Sequence, residues 1–189
     1  FLSPWEDEIE QLKQEVENLT GKTITPQDIS NAIQLLNRER SALKRLMDVT
    51  KAKPSPLTGM ELLEVLFKTG FFADKEKGIA IMNEISDACE TLIQKNETPY
   101  SENTPRILLT GVPIGLGSDK VVNIIEESGA SVVAFENCTG YKKAFQVDED
   151  KDPVKALAEQ YLSIPCSVMS PNPGRFELLE EMISEFSID

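Results

Sequence analysis

Along the first hundred positions, apolar residues recur at intervals of three and four, the period of an amphipathic helix. Ser3-Pro4-Trp5-Glu6 combines an N-cap serine, a proline at the first helical position and a capping-box glutamate. The helix it opens carries Ile9, Leu12, Val16 and Leu19 on one face and stops at Thr20-Gly21. Thr25-Pro26-Gln27-Asp28 repeats the start signal for a second helix bearing Ile29, Ile33, Leu36, Leu43 and Leu46. The short connection predicts that these two helices pack as an antiparallel pair. Lys53-Pro54-Ser55-Pro56 is a turn or linker, and Thr58 then caps a third helix running through Phe67 and ended by Gly70. A fourth spans about residues 74–95, with Ile81, Ile85, Cys89 and Leu92 in one stripe, so Cys89 reads as a small buried hydrophobe.

Beyond the polar turn at 96–104 the pattern changes. Arg106–Thr110 is a continuous apolar run of the kind found in a strand buried on both faces. A glycine-containing loop follows, Ser118 caps a helix through Ser128, and Val132–Phe135 is a second strand. Asp152-Pro153 opens another helix, Ile164–Met169 is predicted as a third strand, and Arg175–Phe186 as a last amphipathic helix. Strands alternating with helices predict an α/β fold with a Rossmann-like parallel sheet of about three strands. The organisation expected is therefore a helical segment over 1–98 and a partial parallel α/β domain over 105–189. Three strands make a small sheet, and the chain opens on Phe1 rather than methionine; together these predict a piece of a longer protein.

Charge and composition narrow the function classes. A formal charge of −13 over 189 residues argues against a nucleic-acid or anionic-membrane partner, which needs a basic face. No apolar run reaches the roughly 18–20 residues that span a bilayer, and no signal peptide is evident. Histidine is absent, which removes the commonest general base and the Ser–His and Cys–His nucleophile pairs. Three widely spaced cysteines without a CxxC pattern point to reduced thiols in a cytoplasm.

In an open parallel sheet, ligands bind where strands deliver the chain into loops. Here those loops are 111–118 (GVPIGLGS), 136–143 (ENCTGYKK) and 170–175 (SPNPGR). Gly115 and Gly117 either admit a ligand to the backbone or serve a tight connection, for the loop is neither a P-loop nor GxGxxG. Arg175 either meets a phosphate or carboxylate or is a surface arginine. Cys166 alternates with apolar Ile164 and Val168, as in a core strand. Cys138 follows a strand at the ligand edge and is either loop packing or a functional thiol. Asp148, Asp150, Asp152 and Glu159 fall in an EF-hand register, but Pro153 occupies the turn glycine's place, so Asp152 reads as a helix cap.

From Pro105 onward, "PRILLTGVPIGLGSDKVVNIIEESGASVVAFENCTGYK" and "DKDPVKALAEQYLSIPCSVMSPNPGRFELLEEMI" resemble the 2-hydroxyacyl-CoA dehydratase / benzoyl-CoA reductase family, in D-component-like form. The upstream "PWEDEIEQLKQEVENLTGKTITPQDISNAIQLLNRERSALKRL" is similar to the helical segment preceding that region. The glycine loop and "FENCTGYKK" most resemble the double-cubane-cluster branch. The resemblance implies an anaerobic iron–sulfur protein that receives low-potential electrons from an ATP-dependent activator and works with a homologous subunit in a hetero- or homodimer. Dehydratases (lyases) of the family lose an unactivated hydroxyl through a ketyl radical of an acyl-CoA; related members are reductases. Family proteins carry a cysteine-bearing region before this segment and another α/β portion after it, and many have a cysteine where this sequence has Val112.

The resemblance makes Cys138 the candidate ligand of an iron–sulfur cluster, 4Fe–4S or double-cubane, with Gly115, Gly117, Ser118, Thr139, Gly140 and Arg175 around the pocket. The 189 residues alone are expected to bind no cluster and to be inert. Two alternatives stand beside the dehydratase: a double-cubane reductase of small molecules without a CoA substrate, and a non-catalytic α/β module whose helical arm mediates assembly.

Overall fold

A computed structural model describes residues Phe1–Asp189. The elements are α1 (Leu2–Thr20), α2 (Pro26–Asp48), α3 (Gly59–Thr69), α4 (Lys75–Lys95), β1 (Arg106–Leu109), α5 (Lys120–Glu127), β2 (Ser131–Phe135), α6 (Pro153–Ser163) and α7 (Pro173–Glu185). Short 3-10 turns cover Val49–Lys51 and Tyr141–Ala144. No helix is long and apolar enough to cross a membrane. The contacts gather into two units, Phe1–Arg38 with Phe145–Ile164, and Glu39–Ala144 with Pro165–Asp189.

The first unit contains α1, the start of α2, and α6. At the start of α2, the Asp28 backbone N–H donates to Thr25 Oγ1 (3.2 Å) and the Thr25 N–H donates to Asp28 Oδ2 (2.8 Å), a reciprocal cap. Asp152 caps α6 by accepting from Lys155 N–H at 3.0 Å. Ile33, Val147 and Ala156 form a small buried core. Beside it the Asn37 amide donates to Val147 O (2.7 Å) and accepts from Val147 N–H (3.0 Å), satisfying the backbone of a segment that has no strand partner. Helix α1 begins before Ser3, so that serine lies inside the helix instead of capping it. Its main neighbour is α6 rather than α2, and none of its residues is buried.

In the second unit, β1 and β2 pair in parallel, Arg106 opposite Ser131 and Leu109 opposite Phe135, with an irregularity after Ile107. Every residue of β2 is buried, as expected of a strand covered on both faces. Helices α3 and α5 pack on it. Gly59 makes the α3 contact possible, because a Cβ there would stand 2.6 Å from Val132 Cβ. The capping box of α3 closes as its sequence predicts, Thr58 exchanging bonds with Glu61. Glu126 of α5 accepts from the Gly59 N–H (2.5 Å) and from Tyr100 Oη–H (2.6 Å), placing a carboxylate at the positive end of α3. The Arg106 guanidinium is buried and donates to the carbonyls of Thr50, Ala52 and Phe186 at 2.7–3.0 Å.

The α/β architecture is as read, with two parallel strands instead of three. Residues 164–169 form no strand. Pro165 has no N–H to donate to a ladder, the Cys166 carbonyl is taken by Met169 N–H (3.0 Å) and Asn172 Nδ2 (2.6 Å), and Val168 is 84% exposed. Cys166 is accordingly half-buried in a turn, not a core strand residue.

Candidate functional site

The loops leaving β1 and β2 are joined by one side chain. Thr139 Oγ1 donates to Ile114 O at 2.7 Å and accepts from Ile114 N–H at 3.0 Å. Gly140 lets this happen: a Cβ there would stand 2.1 Å from Phe135 O, inside any tolerable contact. Gly115 seats its backbone against Phe67, whose ring would lie 2.6 Å from an added Cβ. Gly117 adopts φ 92°, the left-handed region that favours glycine. Ser118 does not cap α5. Its hydroxyl accepts from Gly115 N–H (3.1 Å) and donates to Gly115 O (3.0 Å), and the helix starts two residues later. The first loop is thus a locked connection at Gly115–Asp119, with Gly117 N–H bound to Asp119 Oδ1 at 2.8 Å.

Behind these loops lies a buried charge cluster that reading the chain did not find. Glu136, the residue after β2, is fully buried. Its Oε1 lies 2.6 Å from Lys142 Nζ and 3.4 Å from Arg175 Nε, and its Oε2 accepts from Thr110 Oγ1 at 2.5 Å. Arg175 also donates to Thr110 Oγ1 at 3.1 Å. Burial on its own raises the Glu136 carboxyl, but the Lys142 and Thr110 hydrogen bonds and the charges of Lys142 and Arg175 outweigh it, leaving the group below the usual carboxylate range. The third segment, although not a strand, still brings Arg175 to the ends of β1 and β2. The cluster's sequence signal was the charged residue ending an otherwise apolar strand, a position where burial demands a partner.

Cys138 is the exposed one of the three cysteines. It opens on a cavity of about 340 Å³ whose apolar walls include Phe67, Phe71, Pro113 and Ile114, with Thr139 and Lys143 as its other polar contributors. Lys143 is held below the ordinary lysine range, mainly by desolvation; the charges of Cys138 and Glu39 oppose that shift and Lys75 adds to it. Cys89 sits inside α4, 2% exposed, and burial, then Glu61 and Glu90, push its thiol up to about 11. The neighbour of Cys138, Asn137, is also buried; its Oδ1 accepts from Thr139 N–H at 3.0 Å while its Nδ2 has no acceptor within the chain.

The donor set on this cavity is one exposed thiol, Cys138; the unpaired Asn137 amide is buried away from the cavity walls. Thiolate is the ligand iron–sulfur clusters take, so the Cys138 thiol fits one ligand position of such a group. It does not build a complete site, since no three Cys, Asp or Glu side chains are grouped to hold a metal.

Residues 2–189 match the family described as 2-hydroxyglutaryl-CoA dehydratase, D-component. The chain is 40% identical over 188 residues to the protein named "Putative dehydratase subunit YjiM" of Escherichia coli strain K12, covering 98% of this chain and 48% of that protein. The chain therefore spans about half the length of the curated relative it matches. With a parallel α/β unit, a Cys-Thr-Gly turn at the strand end and this match along nearly its whole length, the chain belongs to the 2-hydroxyglutaryl-CoA dehydratase D-component family.

Proposed function

We propose that this chain is the Cys138-bearing part of a cytoplasmic iron–sulfur protein that dehydrates a 2-hydroxyacyl-CoA. Its cluster would lend a single low-potential electron, first received from an ATP-hydrolysing activator, to the substrate's thioester carbonyl; the hydroxyl leaves, a proton lost from C3 completes the water, and the electron returns, so the dehydration is redox-neutral. A homologous subunit completes the working assembly. The observation that carries this reading is the exposed Cys138 thiol on a cavity of about 340 Å³ with largely apolar walls and a single lysine ammonium. Apolar walls suit the acyl part of a substrate, and Cys138 serves as one cluster ligand. Other ligands come from outside these residues.

The test is iron and sulfide analysis after anaerobic reconstitution of the full-length protein and its Cys138→Ser variant. Lower iron content and an altered cluster spectrum in the variant are expected. Unchanged iron and an intact spectrum would remove Cys138 as a ligand. The form of the glycine loop and of FENCTGYKK favours a second reading, a double-cubane reductase of small molecules without a CoA thioester. Turnover of a 2-hydroxyacyl-CoA against turnover of small reducible substrates separates the two.

A further inference from the structure

Helix α1 carries a seam that its neighbour α6 leaves mostly exposed. Leu2, Trp5, Ile9, Leu12, Val16 and Leu19 are spaced 3, 4, 3, 4 and 3 residues apart, the a/d repeat by which one helix packs along another. Leu2 and Ile9 are half-buried, yet Trp5, Leu12, Val16 and Leu19 are 45, 66, 37 and 85% exposed. A groove of about 520 Å³ runs beside Trp5 and Leu12, floored by Pro4 and Ile9 and edged by Glu8. A seam of this kind over a helix about 28 Å long, at 1.5 Å per residue, is the footprint of a partner helix rather than of scattered surface hydrophobes.

Charge selects the partner. Glu6, Asp7, Glu8, Glu10, Glu15 and Glu17 stand against the single Lys13 on this helix, and Glu6, Glu8 and Glu15 occupy flanking positions of the seam together with Lys13. A second copy would gain one opposite-charge contact, Glu8 with Lys13, but would set two helices of six carboxylates each side by side, where the excess of like charge repels. An anionic membrane surface is repelled for the same reason. We propose that this face of α1 docks an amphipathic helix of a partner polypeptide whose apolar stripe is flanked by lysine or arginine. The inference goes beyond the function proposed for Cys138 and stands whether or not that thiol binds iron.

Trp5 is the only tryptophan in these 189 residues, and a Trp5→Phe control isolates its fluorescence from that of any other tryptophan in the full-length protein. The probe is a synthetic peptide of about three heptads with leucine at a and d and lysine at e and g, set against the same peptide with glutamate at e and g. The lysine peptide is expected to give a saturable blue shift with Kd at or below about 10 µM at low salt, helix-in-groove affinity for a preformed face. Leu12→Glu is expected to weaken binding at least about tenfold while the circular dichroism spectrum stays that of the wild type, since Leu12 is solvent-facing. High salt is expected to weaken binding as well. Adding a carboxylate at position 12 strengthens any unspecific attraction to a basic peptide, so equal or tighter binding by that variant overturns the proposal. No saturable shift, or equal shifts from both peptides, overturns it too. A blue shift that grows with protein concentration alone, with dimers in sedimentation equilibrium, assigns the seam to a second copy instead.

Discussion

The Glu136 carboxylate and the Lys142 ammonium lie 2.6 Å apart, with 0% and 4% of their side chains exposed. Cys138 falls between these two residues in the chain, so the ion pair closes the loop that presents the thiol. Arg175 faces the same carboxylate oxygen at 3.4 Å from the start of α7. One buried anion therefore fixes two cations delivered by separate segments, and the position of Cys138 depends on electrostatics as much as on apolar packing.

Glu136→Gln removes the anion and leaves Lys142 buried without a counter-charge. A loss of about 3–5 kcal/mol is expected, the cost of breaking a buried pair from one side. Urea denaturation at neutral pH measures it, and the double variant with Lys142→Met is expected to recover part of the loss because no charge remains stranded. The pH dependence has a definite sign. The folded carboxyl sits below the ordinary glutamate value of about 4.3, so the unfolded chain takes the proton first as pH falls. The stabilisation is present in full above that value and disappears as pH drops through the folded value. The stability gap between wild type and Glu136→Gln should therefore narrow only in acid; a gap independent of pH down to about 2 contradicts the pairing.

Gly140→Ala should disturb the same loop by a different route. An added methyl would stand 2.1 Å from Phe135 O, and backbone cannot yield as a flexible side chain does. Overpacking of this kind costs about 1–3 kcal/mol. Thermal denaturation should show a lowered midpoint, while Gly174→Ala, with open space around its Cα, should not.

Local signals were legible in the sequence and long-range ones were not. The Thr58–Glu61 capping box, the αL stop at Gly21 and the Asp152-Pro153 start are decided within a few residues, and each occurs where its residues predict. The run at 164–169 has strand-like composition, but Pro165 has no N–H to give to a ladder and the Cys166 carbonyl is taken within the turn. Ser118 looked like an N-cap because it precedes an apolar helical stretch; the turn at Gly115 competes for the same hydroxyl and wins. For the site, Cys138, Thr139 and Gly140 were placed at a strand end by pattern alone. The partnership of Glu136 with Thr110, Lys142 and Arg175 spans several segments, and single-sequence periodicity carries no information about such pairings.

The three cysteines should separate by reactivity. Cys138 is exposed, Cys166 half-buried, and Cys89 is buried with its thiol pushed up to about 11. With iodoacetamide at about pH 8, where the thiolate is the reacting species, Cys138 is expected to be alkylated first and Cys89 only after denaturant is added. Peptide mass spectrometry at timed intervals gives the order. Early modification of Cys89 would contradict the packing of α4.

Thr139 offers the sharpest test of how the two loops are held. Its hydroxyl is both donor and acceptor to the Ile114 backbone, at 2.7 and 3.0 Å. Thr139→Val keeps the shape and removes both bonds, leaving a backbone donor and acceptor to find water at the cavity edge. A loss of about 1–3 kcal/mol is expected, the range for stranded polar groups. Thr139→Ser keeps the hydroxyl and loses only a methyl, so it should retain most of the stability and the slow backbone hydrogen exchange at Ile114. Exchange at that amide is the discriminating readout, because a purely apolar role for Thr139 would make serine the more damaging of the two. If valine preserves protection at Ile114 and serine abolishes it, the hydroxyl bridge is not what joins the loops.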